Sequence, residues 1–128
     1  MINSHVFLDA NVLLEIILAR SNESDARKFL NAQTEKPCIS ALTAHLVVHF
    51  GQKIVELPIL RKFLEDYEVL PLDNADFEWA FMNMRGNDFE DALQVAIAIR
   101  NGSSTFVTFD KQLVGNYKAL SIIKTQLL

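Results

Sequence analysis

Apolar and polar positions along this chain follow two periods in turn, and the changeovers mark its elements. Four short runs read as strands: Val6-Phe7-Leu8, Pro37 to Ser40, Glu68-Val69-Leu70 and Thr105 to Thr108. Between them the spacing becomes helical. Ala10 to about Arg20 carries Val12, Leu13, Ile16 and Ile17 three and four positions apart. Asn22 or Ser24 caps a second helix running to about Ala32. Leu42 to about Val55 is a largely apolar helix. Pro58 opens another to about Leu64, at a first-turn position where its missing N–H costs nothing. Asp73 or Asn74 caps a helix to about Met84, with Phe77, Ala80, Phe81 and Met84 on one face, and Gly86-Asn87 breaks it. Phe89 to Arg100 is a helix stopped by Asn101-Gly102. Lys111 to about Tyr117 is a short one, and a last edge strand is expected near Ser121 to Lys124. Phe77, Trp79, Phe81 and Phe89 read as packing residues.

Strands separated by helices predict βαβ units and an α/β fold: a mainly parallel sheet with helices on both faces, three layers in all. Half of the 128 residues are hydrophobic, and no repeat or linker interrupts them, so a single domain over 1–128 is expected.

In such sheets ligands bind beyond the carboxyl ends of the strands. Asp9 ends the first strand run and Asp110 follows the fourth. Asp88 and Asp91 stand at the start of a helix whose opening end faces the same rim. An unpaired carboxylate beside a core is costly, and several together call for a shared partner. A divalent cation is the simplest one and makes phosphodiester chemistry a candidate. Each acid also has a plainer role. Asp9 and Asp110 suit helix N-caps. Asp88 with Asp91 three positions on resembles a capping box. Asp9 and Asp110 are assigned to the site and Asp88 chiefly to a cap, while Asp91 stands between the two roles. Thr108, two residues before Asp110, is a candidate to hydrogen-bond a carboxylate, with a plain strand residue as the equal alternative.

Net charge is −4, from 12 basic and 16 acidic residues, which does not announce a polyanion binder. It does not exclude one, because a bound metal supplies local positive charge. Arg85, Arg100 and Lys111 flank the acidic motifs as candidate phosphate contacts. The apolar runs are too short to span a bilayer, and the opening residues show no signal-peptide pattern. A cytoplasmic protein away from membranes is expected. Cys38 is the only cysteine, so neither an intrachain disulfide nor a zinc cluster built on thiolates is available. Its apolar surroundings suggest a buried, inert thiol.

The motifs carry a family resemblance. Phe7-Leu8-Asp9-Ala10-Asn11-Val12-Leu13 resembles the opening motif of PIN-domain ribonucleases. The helix Phe89-Glu90-Asp91-Ala92-Leu93-Gln94 to Ala98 resembles their third motif, and Phe106 to Leu113, around Asp110, is similar to their last. Pro37 to Thr43 resembles the strand and turn before their second acid. The resemblance implies a PIN-like fold and Mg²⁺- or Mn²⁺-dependent RNA hydrolysis. It implies that Asp9, Asp91 and Asp110 hold metal, directly or through water, with Asp88 as an additional acid at the rim. Asn11 matches a polar position that supports the first aspartate. Small members include toxins of VapBC-type toxin–antitoxin pairs, which implies a homodimer and an antitoxin partner.

The chain departs from the family at one point. Where the family places a glutamate after the second strand, an ungapped reading puts Leu46, and no acid occurs between Lys36 and Glu56. His45 and His49, four residues apart on one helix face, are candidate substitutes. Imidazole would shift preference towards Mn²⁺ or another transition metal; polar surface is their plainer reading. Two functions therefore stand: a metal-dependent endoribonuclease, or a catalytically impaired PIN-like module that binds RNA or protein.

Overall fold

Five short strands pair into one sheet in the computed structural model, which describes residues 5–128. They are β1 (Val6–Leu8), β2 (Cys38–Ser40), β3 (Glu68–Leu70), β4 (Thr105–Thr108) and β5 (Lys124–Leu127). The order across the sheet is β3-β2-β1-β4-β5, and every neighbouring pair is parallel. Seven helices connect them: α1 (Ala10–Ile17), α2 (Glu23–Asn31), α3 (Ala41–Gly51), α4 (Leu57–Leu64), α5 (Asn74–Asn83), α6 (Phe89–Arg100) and α7 (Lys111–Tyr117).

The alternation of side chains along each strand divides the interior in two. Phe7 and Phe106, register partners whose rings stack at 5.3 Å, join Val95, Leu113 and Tyr117 on the face covered by α5, α6 and α7. Leu8 and Val107, the next pair along, join Val12, Leu13, Ala26, Val47 and Leu60 on the face covered by α1 to α4. Both faces of the central strands are buried, which is why their residues form unbroken apolar runs. The expected three layers are present.

Several boundaries differ from expectation for identifiable reasons. α1 stops at Ile17 instead of continuing to Arg20. Ala19 takes a left-handed φ of 50°, its N–H reaches Ile16 O, and Arg20 N reaches Glu15 O, a Schellman closure. α3 stops at Gly51, where a Cβ would come within 2.8 Å of Leu60 and 3.0 Å of Ile17; the close approach of three helices needs glycine there. β5 begins at Lys124, because β4 fixes the register by pairing Thr105 with Lys124. The apolar pair Ile122-Ile123 precedes it.

The larger correction concerns α5. Phe77 and Phe81 were expected to pack inward, yet both are exposed, Phe81 by 74%, and Met84 is exposed too. The buried positions are Asp76 and Ala80, one turn apart. Ala80 packs against Ala92 and Leu93 of α6. Asp76 accepts a hydrogen bond from its own N-cap, Asp73 N, and two from Arg100, Nε at 2.8 Å and Nη2 at 2.9 Å. This buried pair orients the helix and leaves the phenylalanines outside. It also corrects the reading of Arg100, which serves as the partner of Asp76 and donates to Pro71 O as well.

Arg100→Ala would leave Asp76 buried without its counter-charge. A loss of about 2–3 kcal/mol is expected, below the full range for buried pairs because the guanidinium is partly solvated. Urea denaturation reads it directly, and an unchanged midpoint would show that the pair does not stabilise the fold.

Candidate active site

The strand order has a switch point. From β1 the chain first builds β2 and β3 on one side, and later β4 and β5 on the other, so a crevice opens beyond the carboxyl ends of β1 and β4. Asp9 follows β1 directly, and Asp110 follows β4 after Phe109.

Asp9 is 7% exposed. Its Oδ1 accepts from Ala10 N at 2.8 Å, at the start of α1. Its Oδ2 accepts from Thr108 Oγ1 at 2.8 Å and from Asn11 Nδ2 at 3.3 Å. The same Asn11 amide donates to Thr108 Oγ1, and Asn11 Oδ1 accepts from Phe109 N. Thr108 Oγ1 also accepts from Asp110 N. One compact network thus holds the end of β1, the first turn of α1 and the end of β4. The supporting roles expected of Asn11 and Thr108 correspond to contacts in this network.

α6 brings Asp91 to the same rim from the other layer. Asp88 caps this helix through Oδ1, accepting from Glu90 N and Asp91 N. The reciprocal half of the expected capping box is missing among the described residues, and nothing donates to the Asp91 carboxylate. The loop into α6 is clamped by Tyr117, whose hydroxyl accepts from Arg85 N and donates to Arg85 O. Gly86 in that loop has a φ of +80°, and a Cβ there would lie 2.5 Å from the Asn116 amide.

Electrostatics show that the acids share one locality. Burial pushes the Asp91 carboxyl up to about 7, and the charges of Asp9, Asp88, Asp110 and Glu90 add to the rise. Burial pushes Asp9 up to about 6 against the lowering effect of Thr108, with Asp110 and Glu90 contributing. No basic side chain pairs with these acids among the described residues; the ion pairs there are Arg20–Glu15, Arg27–Glu23 and Arg100–Asp76. An all-oxygen donor set without a counter-charge suits a hard divalent cation. The carboxylates of Asp9, Asp91 and Asp110 do not all come within 4.8 Å of one another.

At the position of the missing acid, Leu46 is half-buried on α3. His45 and His49 are exposed and stack on each other at 5.7 Å, with no described contact to the aspartates. A polar residue outside the acidic set meets α3 one turn earlier, at Thr43. Gln94, on α6 one turn beyond Asp91, is buried; its Nε2 donates to Thr43 Oγ1 at 3.0 Å. Its Oε1 has no partner among the described residues. The signal was in the sequence: one amide inside the apolar stretch Ala92 to Ala98. A search for acids passes over it.

The model of the PIN domain family matches residues 6–118. The chain belongs to the PIN domain family. Solved structures resemble this PIN domain along nearly its whole length. A toxin–antitoxin complex from Klebsiella pneumoniae is 17% identical with a TM-score of 0.77, covering 96% of this chain and 99% of its own. DNA-bound VapBC from Salmonella typhimurium is 18% identical with a TM-score of 0.71, covering 97% and 98%. FitAcB from Neisseria gonorrhoeae is 17% identical with a TM-score of 0.64, covering 94% and 95%. At these identities the likeness shows the fold. No curated protein matches the chain by sequence.

A carboxyl whose pKa rises on folding favours the folded PIN domain when protonated. For Asp9 and Asp91 that contribution is present below about pH 4 and is lost as pH climbs through about 6 to 7. Metal-free Asp91→Asn is therefore expected to melt several degrees above the parent at about pH 8, with the gap closing towards about pH 4. Calorimetric melts at the two pH values check this; identical melting at the higher pH would contradict the strained cluster.

Proposed function

We propose that this PIN domain is a divalent-metal-dependent endoribonuclease that hydrolyses RNA phosphodiester bonds, acting as the toxin of a toxin–antitoxin pair. The observation that carries this is the group of desolvated, mutually repelling carboxylates at the switch point, with no basic partner among the described residues. Asp9, Asp91 and Asp110 would hold Mg²⁺ or Mn²⁺, directly or through water, with Asp88 as an additional acid beside them. When bound, such a cation activates a water and offsets charge on the scissile phosphate. Thr108 and Asn11 fix Asp9 in one orientation, the support that a working constellation needs. Tyr117 holds the loop that presents Asp88 and Asp91. Arg85 and Lys111, both exposed, are left for phosphate contacts.

For the place of the missing acid, Gln94 is favoured over His45 and His49. It reaches Thr43 from the helix that carries Asp91 and keeps a carbonyl oxygen without a protein partner. An amide there makes the site less negative than a full acidic quartet and weakens its hold on Mg²⁺. The missing acid supports a second reading, an impaired module that binds RNA without cutting it. Incubation with single-stranded and structured RNAs plus Mn²⁺ or Mg²⁺ separates the two. Cleavage should vanish with EDTA and fall about 100-fold or more in Asp9→Asn and Asp91→Asn. RNA binding without turnover would favour the module, and cleavage surviving both substitutions would remove the nuclease assignment.

The toxin reading brings partners. The similar structure from Klebsiella pneumoniae is a toxin–antitoxin complex, which supports an antitoxin for this chain. No helix is long and apolar enough to cross a membrane among the described residues, in keeping with action on cytoplasmic RNA. A homodimer face is proposed on α3 and α4. Phe50, Leu57 and Ile59 are exposed there, as is Ile54 in the loop between them, and Leu57, Pro58, Val48 and Leu64 line an apolar groove. Light scattering should report a dimer that Leu57→Asp converts to monomer; a monomeric parent would overturn this.

A further inference from the structure

At the opposite rim, where the strands begin, a second group of ligand-type side chains meets. His5 precedes β1, while Cys38 and Glu68 open β2 and β3, and the three strands are neighbours. Their ligand atoms all lie within 4.8 Å of one another. His5 Nδ1 is 3.9 Å from Cys38 Sγ, and Cys38 Sγ is 3.9 Å from Glu68 Oε1. We propose that His5, Cys38 and Glu68 form a binding site for a zinc-class divalent transition metal, separate from the aspartate site.

The geometry is set by the sheet. Cys38 is in register with Glu68 on one side and Phe7 on the other. His5 lies two residues before Phe7, on the same face by strand alternation. Its carbonyl accepts from Ser104 N at 3.0 Å and Ser104 Oγ at 3.2 Å, and Glu68 N donates to Pro37 O at 2.9 Å. The three backbones are therefore anchored, and only side-chain rotation is needed to adjust the donors. A tetrahedral centre with bonds of about 2.3 Å to sulfur and about 2.1 Å to nitrogen or oxygen spaces its ligand atoms roughly 3.5 Å apart. The two distances to Cys38 Sγ exceed this by a few tenths of an ångström, and the third, between His5 and Glu68, stays within 4.8 Å.

The donor chemistry also separates the two sites. Nitrogen, sulfur and oxygen together select zinc-like ions, whereas the aspartates offer oxygen alone. Without metal the arrangement is unfavourable for a thiolate. Burial and the adjacent Glu68 carboxylate push the Cys38 thiol up to about 11. On binding, the thiol proton leaves to solvent as the sulfur–metal bond forms, and the dication offsets the thiolate and carboxylate charges. Cys38 is only 2% exposed, but Glu68 is exposed and His5 half-buried, so an ion has a path in. A fourth position remains for water. The expected inert thiol explains none of this convergence.

The full chain, stripped with chelator, is titrated with Co²⁺ and Zn²⁺. A near-ultraviolet thiolate-to-metal charge-transfer band that saturates at one thiolate-bound Co²⁺ per chain is expected, displaced by Zn²⁺. The band should persist in Asp9→Asn and disappear in Cys38→Ser. Glu68→Gln should weaken Zn²⁺ binding by more than about tenfold, a loss that even outer partners of metal sites produce. Glu68 is exposed, so that variant decides the matter if Cys38→Ser fails to fold. A missing charge-transfer band, or unchanged Zn²⁺ affinity in Glu68→Gln, would overturn the site. Neither result depends on RNA cleavage.

Discussion

Thr108 donating to Asp9 is the contact on which the surrounding architecture depends. Asp9 sits almost out of water at the head of the central strand, where a carboxylate is expensive. Thr108 and Asn11 offset part of that cost, and in doing so they lock β1, β4 and the start of α1 to one another. Desolvation still wins, because the carboxyl remains raised to about 6. Asparagine at this position would avoid that charge cost. Carboxyls perturbed by burial in this way cluster at functional sites in proteins generally.

Topology explains why the strain concentrates here. The crossovers from the central strands run to opposite sides, so a crevice opens over β1 and β4 that both helical layers reach. One layer supplies α1 behind Asp9; the other supplies Asp91 through α6 and Asp110 ahead of α7. The Tyr117 clamp couples the loop before α6 to α7, so the acids from the second layer are positioned together.

Much of this was legible locally. Strands β3 and β4 and helices α6 and α7 have the bounds read from residue pattern, because caps and breakers such as Asp88, Asp110 and Asn101-Gly102 lie in the chain beside them. What the sequence concealed arises between elements. The outward turn of Phe77 and Phe81 follows from Asp76 meeting Arg100, 24 residues away. Gln94 acquires meaning only where it touches Thr43. His5, Cys38 and Glu68 are separated by 33 and 30 residues and converge solely through strand register.

The choice between cap and ligand, which divides the aspartates in sequence, dissolves at the level of single oxygens. Asp88 and Asp110 each cap their helix with Oδ1 alone, leaving Oδ2 without a protein donor among the described residues. Asp91 uses neither oxygen in a described hydrogen bond, while Asp9 uses both. A carboxylate has about four acceptor positions, so capping consumes only part of its capacity. The caps also fix where the unused oxygens point, because each carboxylate is tied to the first turn of a helix. Helix starts therefore do two jobs at this rim: their N–H groups offset part of the negative charge, and they fix where the capping carboxylates of Asp88 and Asp110 turn their remaining oxygens.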